Sequence, residues 1–238
     1  MKKDSALKTL IVLLLCTWVS SKDLLVSLSA SNAYASLDQA IQALMSGENL
    51  AEESNTITVD SSCLSTPQQF PNTQIQGLIP GGGSISIIYS DLAHLVTQIT
   101  DCDDLPVLLV NPNNPMALSN MASFSISGFN IIYTGAGTSS SIMNVETVVF
   151  SNFCFDNTEF SALSSASGNS FTVSGVTEFS MKNVIYFFDA YKEFLITQTD
   201  QIIIKNITVV LLWSTIDSRN AALSISNPQF YHSNSNIT

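Results

Sequence analysis

The chain has 238 residues, 45% of them hydrophobic but only 11% charged, and it carries a formal charge of −11 at pH 7. That length suits one large domain, and no Pro-rich or highly charged stretch divides it in the middle. Phosphates are held by Lys and Arg, so eight basic residues against nineteen acidic ones argue against nucleic acid or an anionic membrane as partner.

The N-terminus reads as a targeting segment: Lys2, Lys3 and Lys8 precede an apolar stretch from Leu10 to Val19. A secretory leader over residues 1–35 is expected, because Ala33-Tyr34-Ala35 has the small-x-small form that signal peptidases accept. A cut nearer residue 21, after Ser20 or Ser21, is the other reading, and a retained anchor is a third. Without residues 1–35 the chain keeps four basic and seventeen acidic residues, a charge of −13, and has no further membrane span. Secretion or cell-surface display is the expectation for the domain at 36–238.

That domain opens on an amphipathic helix. In Ser36–Gly47, Leu37, Ala40, Ile41, Leu44 and Met45 fall at i, i+3, i+4, i+7 and i+8 and form one apolar stripe. Ser36 and Gln39 make a capping box, Asp38 complements the positive end of the dipole, and Gly47 suits the left-handed position after the last turn. Three turns alone are marginal in water, so the stripe must lie on something apolar.

Short strands with polar turns follow, beginning at Ile57–Val59, yet the hairpin dipeptides Asn-Gly and Asp-Gly never occur. Past residue 35 there are three cysteines, Cys63, Cys102 and Cys154. One disulfide is allowed in an exported chain, but three thiols make no disulfide framework, and Cys154 between two phenylalanines reads as a small apolar filler.

Three windows align without gaps: residues 142–155, 173–186 and 196–209. Their template is apolar-x-x-apolar-x-x-apolar-x-apolar-x-Asn-apolar-x-apolar. Seventeen of eighteen apolar slots are apolar, Thr199 being the exception, against five of twenty-one x positions. Asn152, Asn183 and Asn206 coincide. Units of this length, built of alternating strands, cannot bury their apolar face alone and must stack. Stacked in parallel, like side chains stand about 4.8 Å apart, and the asparagines form an amide ladder. Phe124-Ser-Ile126 echoes Phe171-Thr-Val173, and Leu223-Ser-Ile225 echoes Phe194-Leu-Ile196; between Ile57 and Leu118 no register is legible.

The fold class that follows is all-β, a parallel β-helix closed at its N-terminal end by the capped α-helix. The opening SLDQAIQAL and phrases such as FSISGFNII, VVFSNFCFDN and VSGVTEFSMKNV resemble the pectin-lyase-like superfamily of right-handed parallel β-helices, over roughly residues 36–238. They are specific for the architecture and weak for any one family. The last unit stops just after a slipped second half, which fits a piece of a longer protein or a chain end folded over as a cap.

The resemblance implies polysaccharide lyase or glycoside hydrolase chemistry, which needs a carboxylate pair or a positioned base. Polygalacturonase-like sites carry Asn-Thr-Asp, Asp-Asp, His-Gly and Arg-Ile-Lys phrases. Here only Asn157-Thr158-Glu159 and Asp103-Asp104 come near, in the wrong order. No catalytic residue is therefore assigned, and a non-catalytic glycan-binding or adhesin-like role leads. A diverged lyase or hydrolase is the alternative.

Asp101, Asp103 and Asp104 are the densest acidic cluster, a calcium candidate or a solvated turn; no other cofactor is implied. Tyr191, in a loop between two units, is the better-placed aromatic for stacking on a sugar ring, Tyr186 being expected in the core. His94 and His232 have no motif around them. Gly81-Gly82-Gly83 lacks the Gly-Lys-Ser that a phosphate loop requires. Asn206-Ile-Thr208 and Asn236-Ile-Thr238 are glycosylation sequons.

Overall fold

The computed structural model describes residues 22–46, 54–72, 74–77, 82–91, 102–135, 137–156, 170–187 and 193–211, with strand segments at 215–216, 222–226, 229–230 and 236–237. The fold is all-β: parallel strands in one curled sheet, with a single α-helix and one 3-10 turn among the described residues. No described helix is long and apolar enough to cross a membrane.

The strands are β1 (Lys22–Val26), β2 (Ser54–Val59), β3 (Gln68–Gln69), β4 (Ile75–Gln76), β5 (Ser84–Tyr89), β6 (Val107–Val110), β7 (Ala117–Ser127), β8 (Asn130–Tyr133) and β9 (Ser139–Asp156). They continue as β10 (Ser170–Ser174), β11 (Glu178–Phe187), β12 (Glu193–Thr197), β13 (Gln201–Leu211), β14 (Thr215–Ile216), β15 (Ala222–Ser226), β16 (Gln229–Phe230) and β17 (Asn236–Ile237). The helix α1 (Leu37–Ser46) follows β1.

Pairings between these strands are parallel and fall into three groups. The first joins β1, β2, β5, the second half of β7, the middle of β9, β11, β13 and β15. A second joins β3, β6, β8, the C-terminal ends of β9, β11 and β13, and β16. The third joins β4, the starts of β7 and β9, β10, β12, β14 and β17.

Long strands pass from one group to the next by bending at residues with positive φ. One column of bends is Asn120 (φ 56°), Asn144 (54°), Gly175 (66°) and Gln198 (51°); the other is Gly128 (82°), Asn152 (51°) and Asn183 (54°). The left-handed conformation costs an L-residue roughly 1–2 kcal/mol, and Asn and Gly tolerate it best. Asparagine also ties neighbouring bends together. Asn183 Nδ2 donates to Asn152 Oδ1 at 2.9 Å, and Asn152 Nδ2 to Ser127 Oγ at 3.3 Å. One amide-to-amide bond thus joins Asn183 to Asn152, and the side chain of Asn206 lies outside the described residues.

Successive partners in the first group are Ser54, Ser84, Ser123, Thr147, Glu178 and Gln201, spaced 30, 39, 24, 31 and 23 residues apart. The gap-free alignment of the three windows is reproduced, with Ile142 paired to Val173 and Val173 to Ile196, and Val148 to Phe179 and Phe179 to Ile202. Thr199, the one polar residue in an apolar slot, is 3% exposed and satisfies its hydroxyl on Thr197 O at 3.1 Å. The two weaker echoes pair otherwise: Phe124 stands on Val148 rather than in the column of Phe171, and Leu223 on Ile202 rather than Phe194. A two-residue alternation is common to strands of all three groups, so it cannot say which column a short strand joins.

Inward columns are mainly apolar, for example Ile57, Ile87, Ile126, Phe150, Met181 and Ile204, with buried Asn55 beside Ile85, Gln68 beside Leu108 and Ser140 beside Phe171 as polar members. Phe150 is their centre, its ring 5.3–6.1 Å from those of Phe124, Phe153, Phe171 and Phe179. At the β1 end, α1 lays Leu37, Ala40, Ile41 and Leu44 on β1, β2 and β3, all four buried. Its cap is as the sequence predicts on one side, Gln39 N donating to Ser36 Oγ at 3.3 Å; the Gln39 side chain accepts from Ala35 N at 3.2 Å, one residue earlier than expected. Gly47 lies outside the described residues.

The bends predict a mutational contrast. Asn152→Ala should cost about 2–3 kcal/mol, roughly 1–2 for the left-handed backbone and about 1 for the lost amide bonds. Asn152→Gly, which keeps the backbone, should cost about half as much, as read from urea unfolding midpoints.

Candidate functional site

Strand alternation leaves every second residue of the first group facing outward, and the register sets those residues in three columns. They are Ser54, Ser84, Ser123 and Thr147; Thr56, Ser86, Ser125 and Val149; and Thr58, Ile88, Ser127 and Ser151. Ten of these twelve carry a hydroxyl, so over β2, β5, β7 and β9 the outer side is polar and uncharged; Ser54 is exposed, Ser127 is buried and the others are half-buried, and Ser180, next in the column of Val149, is buried. Column neighbours stand about 4.8 Å apart, and two residues along a strand span about 6.6 Å. Within the face, Ser125 Oγ lies 2.8 Å from Ser86 Oγ and Ser151 Oγ 2.9 Å from Ser127 Oγ. Charge begins beyond it: Glu178 pairs with Thr147 and Gln201, and exposed Lys182 with Ser151 and exposed Lys205.

A hydroxyl donates one hydrogen bond and accepts others, without charge. Columns of them can exchange hydrogen bonds with a partner as donor and acceptor alike, without a charged group taking part.

The acidic cluster is placed in part. Asp103 and Asp104 are exposed in the turn before β6, while Asp101 lies outside the described residues, and no group of three His, Cys, Asp or Glu close enough to hold a metal occurs among those described. Tyr191, His94, His232 and Trp213 also lie outside the described residues, as does the side chain of Tyr186, whose backbone pairs with Phe155 and Val209 in the two adjacent strands.

Cys154 is not a free apolar filler. It forms a disulfide with Cys102, 52 residues earlier, with Cα atoms 5.8 Å apart. The bond fixes the turn that carries Asp103 and Asp104 onto the end of β9. The count of three allowed one such bond without saying which two cysteines pair; Cys63 is a buried free thiol.

A second polar cluster, unforeseen from the sequence, lies at the β1 end. Asp60 caps the 3-10 turn Ser61–Cys63, accepting from Ser62 N at 2.9 Å and from the Ser62 hydroxyl in a shorter bond. Ser62 Oγ accepts from Leu28 N at 2.9 Å and lies 3.4 Å from Ser27 Oγ. Partial burial works to raise the Asp60 carboxyl, but hydrogen bonds from Ser27 and Ser62 outweigh it and hold the group below its ordinary value. Burial pushes the Cys63 thiol upward, which keeps it protonated and unreactive. The cluster is a structural cap.

No family model, no curated protein and no solved structure matches this chain.

Two outcomes follow. A carboxyl whose folded value is depressed contributes stability that is present above its unfolded value and lost as pH falls through the folded one. Acid unfolding should therefore include a contribution from Asp60 below about pH 4, and Asp60→Asn should flatten that part of the stability profile while leaving the neutral range nearly unchanged. Iodoacetamide mapping at pH 8 should leave Cys63 unmodified in the folded protein and label it fully in urea.

Proposed function

We propose that the curled parallel sheet is a right-handed parallel β-helix of the pectin-lyase-like kind, displayed outside the cell, and that it binds a neutral glycan without cleaving it. The observation that carries this reading is the uncharged hydroxyl face over β2, β5, β7 and β9. Sugar hydroxyls meet serine and threonine hydroxyls as donor and acceptor alike, and the regular spacing suits a polymer of repeating units. Many weak bonds on a rigid face act together, since the face loses little conformational freedom on binding.

Export is supported by the leader-like N-terminus and by the Cys102–Cys154 disulfide, because disulfides persist in oxidising compartments. The β-helix reading is supported by the three groups of parallel pairings and by their positive-φ bends. The non-catalytic reading rests on the sequence, which departs from the phrases of polygalacturonase-like sites.

Pelleting of the protein with insoluble neutral glycans, beside pectin and alginate with and without calcium, tests the proposal. Binding should favour the neutral polymers and resist salt, and Ser86→Lys with Ser125→Lys should weaken it about tenfold, or 1.4 kcal/mol. Release of unsaturated or reducing ends from any polymer in the panel would establish the lyase or hydrolase alternative instead.

A further inference from the structure

The strand β1 lies inside the segment that the small-x-small triplet assigns to a leader, yet it is built into the fold. Lys22 to Val26 pair residue for residue with Asn55 to Val59 of β2. Val26 is fully buried in the core and Leu24 packs against it. The Val26 carbonyl accepts from Asp60 N at 3.0 Å, joining β1 to the turn that ends β2.

The chain between β1 and α1 is bound in as well. Tyr34 N donates to Leu25 O at 2.8 Å, Ser27 N donates to Tyr34 O at 2.9 Å, and Tyr34 packs on the core. Leu28 N reaches Ser62 Oγ, and Ala35 N reaches the side chain of Gln39 in the first turn of α1. A chain starting at Ser36 would lose all of these. It would leave the β2 backbone edge open to another chain, take away part of the surface under α1, and remove Ser27 from the Asp60 cluster.

From this we infer that residues 22–35 belong to the working protein, and that the processing site lies ahead of Lys22 rather than after Ala35. The inference rests on the exported reading only for the cut itself; the role of β1 stands apart from it. Small residues at 33 and 35 then have a local reason: they flank Tyr34 where the chain turns from β1 toward α1.

The test is to express the full chain in a secreting host, measure the intact mass and N-terminal sequence of the released protein, and compare it with a Val26→Ala variant by thermal unfolding. A mature N-terminus at or before Lys22, with a midpoint lowered by several degrees in Val26→Ala and unchanged in the exposed-site control Leu28→Ala, is expected. A stable mature protein beginning at Ser36 would overturn the inference, as would a Val26→Ala midpoint equal to that of the parent. Retention of an uncut chain inside the cell would count against export, and the Val26→Ala midpoint would still decide the role of β1.

Discussion

Everything in this molecule depends on the parallel ladder, which makes each residue stand on its equivalent in the next strand about 4.8 Å away. Apolar must then stand on apolar, and the columns from Ile57 to Ile204 and from Ile75 through Leu118, Ile142 and Val173 to Ile196 follow from that demand. The same demand acts at the bends. Once one strand turns through a left-handed residue, its neighbours must turn at the same place, so Asn120, Asn144, Gly175 and Gln198 form one column and Gly128, Asn152 and Asn183 another. Glycine is also needed for room: a Cβ at Gly175 would sit 2.6 Å from Asn144 Oδ1, and one at Gly77 would sit 1.9 Å from the carbonyl of Asn120.

A ladder has ends, and an open end exposes unpaired backbone to any other strand. At the N-terminal end the molecule answers with an amphipathic helix and an extra strand. Leu37 N is satisfied by Gln68 Oε1 at 3.1 Å, and that side chain is itself held by Thr66 O at 3.0 Å. Helix, strand and polar turn thus close the end as one unit, with Asp60, Ser62 and Ser27 at their junction.

The outward side of the ladder repeats as well, in columns of serine and threonine over β2, β5, β7 and β9 that Ile88 and Val149 interrupt. A single serine on a surface recognises nothing, whereas columns of them at a fixed spacing form a lattice. Low charge is what makes the lattice neutral over β2, β5, β7 and β9. Stability must come from burial and backbone pairing, with the Cys102–Cys154 bond adding about 2–4 kcal/mol by closing a long loop of the unfolded chain.

Local chemistry alone was enough to place α1, its serine cap and the alternation of the strands from Ile142 to Val209, because each arises from neighbours within one turn or one strand, and the repeat of the three windows brought Asn152 and Asn183 into one column. The low charge was visible too, but the arrangement of the hydroxyls was not. Which serine stands beside which depends on unit lengths of 23 to 39 residues, and the turns between strands set these lengths without any period of their own. For the same reason tertiary structure alone decided the pairing of Phe124 with Val148, the column of bends at Asn120, Asn144, Gly175 and Gln198, the disulfide and the place of β1. A five-residue strand next to an apolar N-terminal stretch has no local mark of its own; only the partner edge of β2, some thirty residues away, makes it part of the fold.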